Sequence, residues 1–181
     1  MSVVGVAVLA SVAWAATGFA QPQVNPQAQA IADFSKRVAA YLDLTTKVTE
    51  GLPPLKRTDD SSEIASREVA LGDAIRAGRA GARPGDILTP EVARVFRRVI
   101  KGDFRGRTPR GQNIMRDDIP HFRPNVNQTY PSAWPLATFP PTLLAGLPEL
   151  PVGLEYRLLS EALILRDVKA NIIVDFILDV F

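Results

Sequence analysis

The run Asp117-Asp118-Ile119-Pro120-His121 sets two carboxylates beside the only histidine of the chain. A carboxylate can orient an imidazole as a general base, and the same three groups could form a weak metal site. No nucleophile or second ligand lies nearby in sequence, so the run reads more readily as a solvated loop. Arg94, Arg97, Arg98 and Lys101 offer a different chemistry, because a helix would carry all four on its polar side. Such a face could meet the phosphates or carboxylates of an envelope polymer, or an acidic protein. The competing readings are a solvated face, or pairing with the acidic C-terminal part of the chain.

Other chemistries are limited by composition. With no cysteine there is neither a disulfide nor a thiolate, and one histidine removes nearly every histidine-based metal site. No resident metal or cofactor is expected. A net charge of +2 gives no global argument for nucleic acid. The charge is unevenly placed: ten basic residues lie between Arg76 and Arg110, against Asp86, Glu91 and Asp103. From Glu149 onward six acidic residues face three basic ones. Gly78, Gly81 and Gly85 make no phosphate loop, since the Gly-Lys-Ser/Thr ending is missing. Asn127-Gln128-Thr129 fits a glycosylation acceptor, a short pattern that arises often by chance. Tyr130, Trp134 and Phe139 could line a ligand groove, although anchoring in the core explains them more simply. An exported hydrolase using carboxylates alone needs only two such groups about 5–10 Å apart across a cleft. Asp117, Asp118 and Glu91 would be its candidates.

These residues need elements to hold them. Asn25-Pro26 reads as a cap and first-turn proline, after which Ile31, Phe34, Val38, Tyr41 and Leu42 recur at helical steps. Gly51 and Pro53-Pro54 end that helix. Asp60-Ser61-Ser62-Glu63 has the form of a capping box, with Ile64, Leu71 and Ile75 along one side of the helix that follows. Thr89-Pro90-Glu91 opens a third helix whose stripe is Val92, Val95, Phe96, Val99 and Ile100, with Gly102 after it. From 105 to 151 prolines and glycines predict an extended arm over the helices, with one short strand near 123–128. Beyond Leu154 the apolar period becomes two, with turns at Ser160-Glu161 and Lys169-Ala170-Asn171. The expected architecture is α+β: about three helices (21–104) packed on a small antiparallel meander (152–181), joined by the proline-rich arm (105–151), all one domain.

Residues 1–20 are small and apolar and close on Gly18-Phe19-Ala20 before Gln21, as an export signal would. The first charged side chain is Asp33, so the leader is weak or its true start lies upstream. An uncleaved anchor is the rival, since about 20 apolar residues span a bilayer, and membrane association is expected only in that case. A lipid-modified cysteine anchor is excluded. Cleavage would leave about 160 residues, enough to bury a core.

Three stretches support a resemblance: Leu52–Lys56 (Leu-Pro-Pro-Leu-Lys), Gly85–Val92 (Gly-Asp-Ile-x-Thr-Pro-Glu-Val), and the closing Leu154–Ile177. Together they resemble a group of uncharacterised exported bacterial proteins, a likeness that covers nearly all of the mature chain and brings no activity with it. Tyr156-Arg157 is also faintly similar to the strand meander of RcnB-type periplasmic proteins, linked to nickel and cobalt homeostasis. The turn here, Ser160-Glu161-Ala162, departs from that pattern, and no ligand cluster accompanies it. The sequence thus favours a periplasmic or secreted, non-enzymatic interaction or envelope-associated protein, its partner an anionic envelope component or an acidic protein. The alternatives are the carboxylate hydrolase and a weak periplasmic metal binder, which should take up nickel, cobalt or zinc.

Overall fold

The computed structural model describes residues 25–54, 57–131 and 138–181. The leader at 1–20, Lys56 of the first motif and Trp134 lie outside the described residues. Among the described residues, five helices precede a three-stranded sheet: α1 (Pro26–Glu50), α2 (Ser61–Gly78), α3 (Pro90–Gly106), α4 (Pro109–Asp117), α5 (Pro141–Gly146), then β1 (Leu154–Leu159), β2 (Ala162–Asp167) and β3 (Ile172–Ile177). The class is α+β.

Caps explain where the helices begin. Asn25 Oδ1 accepts from the Gln27 amide at 2.9 Å, and Pro26 supplies a first-turn φ without wasting a donor. Asp60 accepts from the Ser62 amide at 2.8 Å. The reciprocal half of the expected box is replaced, because the Asp60 amide donates to Thr58 Oγ1 instead. Thr89 and Thr108 cap α3 and α4 in the same way, each followed by a proline. The structure therefore corrects the picture of a wholly extended arm: Pro109 and Pro141 start helices where they had been expected to forbid them. Two further details differ. Ile64 is 49% exposed, so α2 buries only its second half through Leu71, Gly72 and Ile75. Helix α3 runs past Gly102, because Phe104 continues the buried stripe four residues after Ile100.

The sheet is antiparallel in the order β1-β2-β3. Leu159 pairs with Ala162 across a two-residue turn, in which Ser160 carries the positive φ that a II′ hairpin requires at its first position. Both faces of the sheet are covered. Leu154, Tyr156, Leu158, Leu163, Leu165 and Ile172 pack against the helices, with Phe34, Phe96 and Tyr156 in successive edge-to-face contacts at 5.4 and 5.9 Å. On the opposite face Leu159, Ile164 and Ile173 meet Tyr130, with Phe122 and Phe176 beside them. The segment carrying Phe122 and Tyr130 is the aromatic part of the arm, and it works as the second cover of the sheet.

That segment also borders β3. Thr129 bridges to Ile172, and the backbone bonds run Asn127 N to Ile173 O, Ile173 N to Gln128 O, and Tyr130 N to Asn171 O. The pairing falls slightly later than the strand expected at 123–128. Arg76 of α2 and Arg79 at the C-cap of that helix hold it in place. Arg76 Nε donates to the Asn127 carbonyl at 2.9 Å, while Arg79 donates to Asn127 Oδ1 at 2.9 Å and to the Val174 carbonyl at 3.0 Å. Gly72 lets α2 come close to the β2–β3 turn, where a Cβ would sit 3.2 Å from the Ala170 carbonyl.

Candidate functional site

The two acidic residues of the 117–121 run end α4: Asp117 is its last residue and Asp118 its C-cap. Ile119 and Pro120 turn inward, which leaves Asp117, Asp118 and His121 exposed. The backbone beyond them is tied down, with Ser160 N donating to the Pro120 carbonyl at 2.7 Å and Ser160 Oγ to that of Phe122 at 3.2 Å. Asp118 lines a hollow of about 300 Å³ with Arg107 and Met115. His121 lines a different one, of about 360 Å³, with Glu161 and Asp179. No base–orienter hydrogen bond joins them among the described residues. Nor does any group of three or more His, Asp or Glu there have the arrangement to hold a metal ion. Glu91 is exposed at the start of α3, where a hydrogen bond with its own backbone amide holds the carboxyl below its ordinary range. Its partner is Arg94, at 3.1 Å.

The basic residues of α3 do share one side. Arg94 and Arg98 are exposed, while Arg97 and Lys101 are half-buried. Arg97 Nε donates to the Leu178 carbonyl at 2.9 Å, and Arg98 reaches Gln27 Oε1 of α1 at 3.4 Å. What matters is where the acidic groups of the sheet go. Glu155 is bridged by Arg157 and Arg166, each at 2.6 Å. Asp167 accepts from the Tyr41 hydroxyl at 2.8 Å and the Ala170 amide at 3.0 Å. Asp175, closed to solvent, takes four backbone amides: Gly85, Ile87, Leu88 and Phe176. Among the described residues, no basic side chain of α3 forms an ion pair with the sheet.

No family model, no curated protein and no solved structure matches this chain. The site must be read from its own chemistry.

Sequence reasoning missed three polar arrangements. The first is Asp175, whose amide partners Gly85, Ile87 and Leu88 form the loop leading into α3; the chain's own carboxylate fills what would otherwise be an anion-binding nest. The second is Tyr41, whose hydroxyl is pushed well above the ordinary tyrosine range, first by burial and then by the charge of Asp167. Arg79 lies 5.1 Å from its ring centroid, and burial lowers the pKa of that guanidinium. The third is a polar chain in which Glu155, Arg166 and Asn171 follow one another across the outer face of the sheet, ending on Glu68 of α2. Burial would raise the Glu155 carboxyl, yet hydrogen bonds from Arg157 and Arg166 hold it below its ordinary range. These arrangements bind elements to one another.

Asn127 is engaged on both amide atoms, accepting from Arg79 Nη1 and donating to the Arg79 carbonyl at 3.0 Å. A glycan on Nδ2 would replace one of its two hydrogens and crowd this contact. Tyr130 is buried against the sheet, whereas Phe139 lines a groove of about 790 Å³ with Leu144, Leu150, Tyr156 and Arg157. Its apolar walls could receive an apolar group.

Proposed function

We propose that this chain is an exported, non-enzymatic interaction protein that presents the basic side of α3 to an anionic partner, either an envelope polymer or an acidic protein. One observation carries the reading. The sheet's carboxylates are occupied by Arg157, Arg166, Tyr41 and backbone amides, so none of them pairs with the α3 basic residues, of which Arg94 alone has an ion pair among the described residues, with exposed Glu91. Pairing with the acidic sheet was one of the two competing explanations for the cluster; the other, a solvated face, is what the binding test addresses. Export rests on the apolar residues 1–20 with their small-residue end. Among the described residues, no helix is long and apolar enough to cross a membrane.

The test is retention of envelope components on the immobilised protein, compared with a variant carrying Arg94→Glu, Arg97→Glu and Arg98→Glu. Binding of anionic components should fall about tenfold or more at low salt and weaken as salt is added. Undiminished retention of every ligand by the reversed variant would remove the basic face from consideration. N-terminal sequencing of the protein recovered from its host tests export separately, with Gln21 as the expected first residue.

A further inference from the structure

We propose that the hollow between the start of α3 and the end of β3 binds a small oxyanion carried on an apolar body, such as a carboxylate attached to an aromatic or branched aliphatic group. This rests on the reading of α3 as a binding face and narrows it to one place on that face. The hollow encloses about 440 Å³, within the range of small-ligand sites. Leu88, Ala93 and Ile177 line it, and each is nearly closed to solvent, so a bound apolar group would find an apolar floor. Arg94 and Arg97 line it as well, three residues apart and therefore on one side of the helix.

Arg97 is held in place there. Its Nε is committed to the Leu178 carbonyl, while its terminal nitrogens donate to nothing among the described residues. The ion pair of Arg94 is with exposed Glu91, a weak competitor for a ligand. The backbone amides of the neighbouring loop cannot share the work, because Asp175 already occupies those of Gly85, Ile87 and Leu88. Recognition of the charge thus falls to the two guanidiniums, which suit carboxylate and phosphate oxygens alike. Asp179 also lines the hollow and forms no ion pair with either arginine among the described residues, so it opposes an anion and limits affinity.

Four probes decide the matter by amide-shift NMR on the full chain: N-acetyl-L-phenylalanine, its amide, N-acetylglycine and phenyl phosphate. The first and last should shift the Gly85, Leu88 and Leu178 amides, and their relative affinities tell a carboxylate source from a phosphate one. The amide and N-acetylglycine should bind about tenfold more weakly or not at all. Arg94→Gln and Arg97→Gln should each weaken N-acetyl-L-phenylalanine about fivefold or more, Asp179→Asn should tighten it, and Lys36→Gln, an exposed charge of α1 away from the hollow, should leave it unchanged. Arg94 is exposed but Arg97 is half-buried and bonded to the Leu178 carbonyl, so an unchanged amide spectrum of each free variant is the check that its fold is kept. Absence of shifts from every probe at about 10 mM, well above useful affinity, overturns the proposal. So does equal binding of the acid and its amide, or a Lys36→Gln loss as large as that of Arg97→Gln. Retention of anionic polymers that survives such a failure sinks the hollow alone. Loss of small probes together with charge-independent retention sinks the whole basic face.

Discussion

Asp175 is a charge without solvent, held by four amide donors. Asp175→Asn keeps its shape but turns an NH₂ group toward donors, leaving buried amides unpaired. The expected loss is about 2–4 kcal/mol, read from the urea midpoint at unchanged slope. Alternation along 172–177 places this residue opposite in sense to Val174. In the structure Leu165 pairs with Asp175 and Arg166 with Ile173, so Val174 is an extra residue that lets both it and Asp175 face the helices. Nothing in composition marks such a bulge, which is why the sequence hid this residue's role. The tyrosines give a second prediction. Tyr41, Tyr130 and Tyr156 are all raised, burial being the first cause in each. Groups with raised folded values add stability that is complete below the unfolded value of about 10 and lost as pH climbs toward the folded one. Tyrosinate absorbance should therefore stay low near pH 10 and then rise together with unfolding. Tyr41→Phe should flatten the alkaline fall in stability, and three independent titrations near pH 10 on a still-folded chain would contradict this.

At the scale of elements, the starts of α1 and α3 and both turns of the meander were legible, because a cap, a first-turn proline and a change of period are local signals. Helices α4 and α5 were not, although Thr108-Pro109 repeats the pattern of Thr89-Pro90. A proline that begins a helix and one that ends it look alike until the following turn is placed. The basic cluster was legible as a helix face. That the sheet would meet its own acidic needs elsewhere was not, since the partners Tyr41, Arg166 and the 85–88 amides come from distant or reversed positions. Helix α3 also carries a correctable weakness. A Cβ on Gly102 would meet nothing within 4 Å, and the residue lies well inside the helix. Gly102→Ala should stabilise the protein by about 0.5–1 kcal/mol through backbone entropy, seen as a higher thermal midpoint with an unchanged spectrum.

The whole molecule is a sheet held between helices and the chain's own aromatic segment, without a disulfide to support it. Tyr130 joins that cover to the sheet, with Arg166 5.1 Å from its ring centroid and Asn171 donating to its carbonyl. Tyr130→Ala should cost about 3–5 kcal/mol and expose Leu159, Ile164 and Ile173 together. The measurable sign is binding of a hydrophobic dye before the main unfolding transition; a variant that stays dye-silent until global unfolding would show that the cover is dispensable. Residues 127–130 lie along the outer border of β3, and Pro131, which has no amide hydrogen, follows directly. A neighbouring molecule arriving on that flank finds the ladder already taken and its continuation chemically blocked. Crowded copies are thereby kept from stacking into fibrils through this margin.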